Sequence, residues 1–140
     1  IVEVSSGNMG ISLAAVANLF NIKTTILMPK NMSIERKSLL KMYGAELVET
    51  ENFLEAFKLC KQYEEKGYFC PHQFENTSNF KVHYEVTGKE IYKALKNQDV
   101  KTFVCGVGTS GTLSGVSKYL KSKLDVKTVG IEPKNVGMAL

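Results

Sequence analysis

Thr102-Phe103-Val104-Cys105-Gly106-Val107-Gly108-Thr109-Ser110-Gly111-Thr112 runs from a strand pattern directly into a glycine-rich turn, and Leu113–Lys123 behind it has helical spacing. A junction of the same make lies at the other end of the chain. There Ile1–Val4 reads as the tail of a strand, Ser5-Ser6-Gly7-Asn8-Met9-Gly10 as the turn, and Gly10–Asn21 as an apolar, alanine-rich helix. A helix N-terminus leaves about four backbone N–H groups unpaired and carries a partial positive charge. Glycines let that backbone close around an anion, while Ser, Thr and Asn add neutral donors. Two such loops in one short chain point to a function that handles two anionic groups.

Between the loops, strand and helix signals alternate. Thr24–Met28 is a short apolar strand stopped by Pro29. Ser33 is placed as an N-cap with Glu35 in the first turn, Ile34, Leu39, Leu40 and Met42 give the helix its apolar side, and Gly44 stands at its stop. Ala45–Thr50 reads as a strand, Asn52 as the cap of a helix over Phe53–Lys66, and Tyr68–Cys70 as a brief strand. A polar loop, Pro71–Asn79, leads to a helix at about Lys81–Leu95, and Thr128–Glu132 is the last strand. This alternation predicts an α/β fold: an open, mostly parallel twisted sheet with helices on both faces. In such sheets ligands sit beyond the carboxyl ends of the strands, where both glycine loops fall.

Composition narrows the function classes. At 140 residues with a hydrophobic fraction of 44%, the chain is long enough for a real core. No stretch approaches the roughly 18 apolar residues of a membrane span, and no signal-peptide pattern opens the sequence. The net charge of +4 comes almost wholly from lysines, with Arg36 the single arginine. Those lysines (among them Lys58, Lys61, Lys89, Lys93, Lys118 and Lys121) are spread over helix faces among glutamates, unlike the clustered Arg and aromatics of a nucleic-acid surface. Cys60, Cys70 and Cys105 have no CxxC spacing and suit a reduced cytoplasmic protein. With His72 and His83 they form no metal-ligand pattern. The ends read as cut from something longer.

Gly106-x-Gly108-x-x-Gly111 also fits the dinucleotide fingerprint, with Glu132 about 20 residues on where a ribose-binding acid belongs. That fingerprint usually lies in the first βαβ unit, and it leaves Ser5–Gly10 unexplained. A resemblance covers both loops. Ser6-Gly7-Asn8-Met9-Gly10-Ile11-Ser12-Leu13-Ala14 resembles the SGNTGIALA segment of the cysteine synthase (O-acetylserine sulfhydrylase) and cystathionine β-synthase family, fold-type II enzymes dependent on pyridoxal 5′-phosphate. Met28-Pro29, Met32-Ser33-Ile34-Glu35-Arg36-Lys37 and Gly44-Ala45 resemble its MP…MSIERR…LGA run. Gln73-Phe74-Glu75-Asn76, Thr87-Gly88-Lys89-Glu90-Ile91, Gly106–Thr112 and Gly130-Ile131-Glu132-Pro133 resemble QFxN, TGPEI, GxGTGGT and the later VEP turn, in the family's order.

The resemblance implies a residue-by-residue assignment. Gly108, Thr109, Ser110, Gly111 and Thr112 would wrap the cofactor phosphate, with Ser110 in place of a usual glycine. Asn8 would lie by the cofactor ring's 3′-oxygen, its alternative being a plain helix cap. Ser5, Ser6, Gly7, Met9 and Gln73 would receive the substrate carboxylate, although Gln73 also suits a loop residue satisfied by backbone. Met9 departs from the family's Thr, and a thioether cannot donate the hydroxyl's hydrogen bond. His83 and Tyr84 read as packing or surface residues.

The implied activity is β-replacement at an activated serine, making L-cysteine from O-acetylserine and sulfide. Cystathionine β-synthase and cysteine desulfhydrase or lyase chemistry share these loops. A non-catalytic binding or regulatory relative is the competitor from another class. No lysine here matches the family's Schiff-base motif, so the chain is expected to be inactive alone and holds no catalytic residue. Residues 5–80 are expected to form mainly the smaller mobile subdomain, and 81–140 part of the larger cofactor-binding one. A homodimer, with a serine acetyltransferase as possible partner, completes what the resemblance implies.

Overall fold

The structure, a computed structural model, describes residues 1–95, 97–132 and 134. It consists of two compact units, Ile1–Gln73 and Phe74–Leu140. In the first, β1 (Val2–Val4), β2 (Thr25–Pro29) and β3 (Glu46–Thr50) form a parallel sheet in the order β1-β2-β3. The register pairs Val2 with Thr25 and Val4 with Leu27, then Thr25 with Glu46 and Pro29 with Thr50. The helices α1 (Asn8–Leu19), α2 (Ile34–Met42) and α3 (Phe53–Glu65) follow the strands in turn.

The five residues of β2 are buried throughout, which explains why Thr-Ile-Leu-Met-Pro shows no polar alternation. Its side chains still alternate between two cores. Ile26 and Met28 pack with Ala14 of α1, Leu40 of α2 and Ala45. Leu27 points the other way, among Val2, Val4, Ala56, Cys60 and Cys70. Each fully buried side chain of that size contributes about 1.5–3 kcal/mol. Helices thus cover both faces of the sheet.

Between Val2 and Val4, the period of the strand turns Glu3 away from their core, and it is only 2% exposed. Its carboxylate accepts the Val4 N–H at 2.8 Å and the Gln73 N–H at 3.1 Å. Burial pushes the carboxyl above its usual value; the two backbone donors and nearby His72 offset only part of that shift.

In the second unit, α4 (Thr77–Val82), a π-helical turn (His83–Thr87) and α5 (Gly88–Leu95) follow one another with helical backbone at both joints. Then β4 (Thr102–Gly106) pairs in parallel with β5 (Lys127–Ile131), and α6 (Gly111–Lys121) makes the crossover. Val116, Leu120 and Val126 form the core, flanked by Ile91, Tyr92, Val100 and Phe103. Here α6 approaches the π-helical turn closely, because Gly115 has no side chain. A Cβ there would lie 2.6 Å from the Phe80 carbonyl oxygen and 2.7 Å from the His83 Cβ. Gly88 returns the favour, since its Cβ would lie 2.7 Å from that of Tyr119.

Several boundaries differ from the sequence reading. Helix α1 starts at Asn8 rather than Gly10, because the Ser5 hydroxyl gives the first turn an acceptor. Tyr68–Cys70 is not a strand; only the Phe69 carbonyl bonds to β1, taking the Val2 N–H at 2.9 Å. The helix expected from Lys81 begins at Thr77, where the Asn76 side chain accepts the Ser78 N–H. Asn52 caps α3 as read, accepting from Glu55 N. The described strands fall into two parallel sheets rather than one. Pro133 of the VEP-like turn and Lys96 lie outside the described residues.

The state of Glu3 gives a pH signature. A carboxyl whose folded pKa is raised above 4.5 contributes stability that is fully present below that value and lost as pH rises through the folded pKa. Glu3→Gln removes this titration. In urea unfolding of the full-length protein the variant should therefore gain on wild type between about pH 4 and about pH 7. A difference that stays constant over that range contradicts the assignment.

Candidate functional site

The first loop follows the carboxyl end of β1. Ser5 is buried, and its Oγ accepts the N–H of Gly10 at 2.9 Å and of Gly7 at 3.3 Å. That hydroxyl folds the turn onto α1, and a Cβ on Gly10 would lie 2.9 Å from the Ser5 Cβ. Among the described residues, nothing accepts the backbone N–H of Ser6, Asn8 or Met9. Gly7 takes the N-cap position without a side-chain cap, so Asn8 is the first helical residue and not the cap. Its side chain is exposed, as is that of Met9.

Gln73 closes over the end of β1. Its Nε2 donates to the Val4 carbonyl at 2.6 Å, while its backbone N–H goes to Glu3. One of its two amide protons is thus held by backbone directly before the loop. Glu3 was not read from the sequence as relevant, yet it fixes the segment that carries Gln73. A charged residue between two valines of a strand was the only signal available.

The second loop follows the carboxyl end of β4. Val107 N–H donates to the Ile131 carbonyl at 2.9 Å, extending the sheet by one bond. Then the chain turns, with Ser110 in the left-handed region at φ 67° as the N-cap of α6. Its carbonyl accepts from Ser114 N at 2.9 Å and Ser114 Oγ at 2.6 Å. Among the described residues, nothing accepts the N–H of Gly108, Thr109, Ser110, Thr112 or Leu113. Gly108 is exposed and a Cβ on it would meet nothing within 4 Å, so neither packing nor backbone conformation explains this glycine.

Two further side chains reach this loop. Asn79 Nδ2 donates to Thr109 Oγ1 at 2.7 Å, and His83 Nε2 lies 3.1 Å from Thr112 Oγ1. Sequence pattern alone places Asn79 in the loop before a helix at about Lys81. With the helix starting at Thr77, Asn79 and His83 stand four residues apart on one face. Tyr84 is a packing residue, stacked on Phe80 at 6.0 Å and edge-on to Tyr119 at 5.6 Å.

Neither loop helix has an acidic residue in its first turn, whereas α2, α3 and α5 carry Glu35, Glu55 and Glu90 there. Both N-termini therefore keep their positive potential. Cys60 and Cys70 are poor nucleophiles: burial pushes the Cys60 thiol up to about 12 and raises Cys70 as well. Among the described residues no cluster of His, Cys, Asp and Glu could hold a metal ion, and no helix is long and apolar enough to cross a membrane.

Comparison with known proteins gives this geometry a context. The family described as "Pyridoxal-phosphate dependent enzyme" matches residues 1–139. The cysteine synthase of Staphylococcus aureus is 48% identical over 139 residues, covering 96% of this chain and 45% of that protein. Cysteine synthase A of Escherichia coli is 43% identical, covering 95% of this chain and 44% of that one. Among solved structures, a hydrogen sulfide-producing enzyme of Fusobacterium nucleatum superposes with a TM-score of 0.87 at 42% identity, over 99% of this chain and 48% of that one. An O-acetylserine dependent cystathionine beta-synthase of Helicobacter pylori does so with a TM-score of 0.89 at 32% identity, over 95% and 45%. The chain spans less than half the length of these relatives. The family match replaces the dinucleotide reading of Gly106–Gly111.

The left-handed Ser110 carries a measurable cost. An L-residue in that region loses about 1–2 kcal/mol relative to glycine. Ser110→Gly should stabilise the full-length protein by about 1 kcal/mol in urea unfolding. A destabilised variant would show that the serine side chain makes up for its backbone.

Proposed function

We propose that this chain, which belongs to the pyridoxal-phosphate dependent enzyme family, is the half of a β-replacement enzyme that grips the cofactor's phosphate and the substrate's carboxylate. The reaction is the making of L-cysteine from O-acetylserine and sulfide. The observation that carries the reading is the loop before α6, with five backbone N–H groups that find no acceptor among the described residues, no acidic residue and an open Gly108.

The residues fit the cofactor's phosphate. Gly108, Thr109, Ser110, Gly111 and Thr112 offer neutral donors at the positive end of an eleven-residue helix. Neutral donors hold a dianion without a competing cation in the site. Pyridoxal phosphate, when bound, supplies an electron sink for the charge left when the α-proton departs. The N–H groups of Ser6, Asn8 and Met9 at the start of α1, with Ser5, Gly7 and Gln73, take the substrate carboxylate and so orient the α-carbon. Asn8, first in the helix and exposed, is given to the cofactor ring's 3′-oxygen. The reading assigns no lysine of this chain to the Schiff base and no catalytic residue.

For the parent protein the reading takes a cytoplasmic homodimer, with a serine acetyltransferase as partner. Free thiols at Cys60, Cys70 and Cys105 suit a reducing compartment, and the resemblance supplies the rest. The subdomain assignment follows the same source: residues 5–80 mainly the smaller, mobile part, 81–140 within the larger one.

Met9 supports a second reading of the substrate. A thioether at the carboxylate loop suits a different β-substituted amino acid, as in a cystathionine β-synthase or a cysteine desulfhydrase or lyase. The Fusobacterium neighbour is a hydrogen sulfide-producing enzyme.

Two measurements test the proposal. The full-length protein should show the visible absorption of a lysine-bound cofactor, lost on borohydride reduction; a protein that stays colourless after incubation with pyridoxal phosphate points to a non-catalytic relative. Met9→Thr should tighten O-acetylserine binding about tenfold in a spectral titration, the worth of one hydrogen bond to a charged group. Unchanged or weaker binding moves the substrate away from O-acetylserine.

A further inference from the structure

The hydroxyls of Thr109 and Thr112 each have one proton to give and lone pairs that can accept. What they offer a ligand depends on what already bonds to them. At Thr109 the answer is direct. The Asn79 amide donates to Oγ1 at 2.7 Å, and the Gly111 N–H approaches the same oxygen at 3.5 Å. The threonine's role there is acceptor, so its own proton is left to donate elsewhere.

At Thr112 the direction rests on a histidine tautomer. His83 Nε2 lies 3.1 Å from Thr112 Oγ1, and His83 Nδ1 lies 3.0 Å from Thr87 Oγ1. If Nδ1 carries the proton, Thr112 gives its own to Nε2 and turns lone pairs towards the loop. If Thr87 donates to Nδ1, the Nε2–H donates to Thr112, whose proton then points onward. A phosphate dianion presents only acceptors, so binding favours the second arrangement. Two glycines of α6, Gly111 and Gly115, admit both supports. A Cβ on Gly111 would collide with the Asn79 amide, and one on Gly115 would lie 2.7 Å from the His83 Cβ.

We infer that Asn79 and His83 are positioning residues for the phosphate loop, donating to Thr109 and Thr112 so that both threonine hydroxyl protons are left for a bound phosphate. The inference rests on the cofactor reading above and extends it from the loop to the helix behind it.

The test compares pyridoxal phosphate with pyridoxal, which lacks the phosphate, in full-length protein stripped of cofactor and titrated by absorbance. Wild type should hold pyridoxal phosphate the more tightly; no such preference overturns the reading of the loop itself. Given that preference, His83→Asn should reduce it about tenfold, while His83→Gln, whose amide nitrogen reaches the place of Nε2, should stay within about threefold. Equal losses for Asn and Gln, equal losses for both ligands, or no loss at all overturn the inference and leave the loop reading standing. Asn79→Ala, expected to reduce the preference by a similar factor, decides the matter in the same way should His83→Asn fail to fold.

Discussion

The N–H groups that a helix cannot satisfy at its own start have to be met by something, and how each helix meets them organises this chain. The Asn52 side chain meets them at α3, with Glu55 beside it, and the Asn76 side chain does so at α4. Helix α2 carries Glu35 in its first turn. In α1 and α6 the sequence withholds both devices. Ser5 satisfies Gly7 and Gly10 from behind, Thr109 reaches the Gly111 N–H, and the remaining donors find no acceptor among the described residues. A parallel sheet makes this possible, since each strand ends where the next helix begins.

Much of that pattern can be read without a structure. The glycine-rich turns, the strand before each and the helix after each follow from residue type and period, and the buried β2 announces itself as an unbroken apolar run. Asn52 shows its cap by its place before Phe53. Tertiary effects were out of reach. The start of α1 at Asn8 depends on a hydroxyl that folds back from Ser5, and the start at Thr77 depends on the Asn76 side chain beating the turn propensity of Asn and Ser. Tyr68–Cys70 has strand composition but makes only one backbone bond to a strand, from the Val2 N–H to the Phe69 carbonyl. Glu3 looks like an exposed strand residue, and only the fold shows it holding Gln73.

The site was legible as two loops and no further. Resemblance supplied the roles, while geometry supplied the partners behind them. Asn79 and His83 could not be recognised because their relation to Thr109 and Thr112 spans about thirty residues of sequence and needs two glycines in the partner helix. Ser110 shows the converse. Its residue type departs from the glycine that the resemblance leads one to expect, yet its backbone takes the left-handed conformation that favours glycine.

The π-helical turn at His83–Thr87 has a consequence for how this helix can vary. One additional residue in a helical turn rotates everything after it by about 100°. Asn79 before the turn, His83 at its first residue and Gly88, Ile91 and Tyr92 after it all address α6 or the core beside it, which a uniform α-helix over the same span would not allow. The turn acts as a phase corrector between two contact stripes. Deleting a single residue there would leave a continuous hydrogen-bonded helix but throw its second half out of phase, so this segment tolerates substitution far better than any change in length.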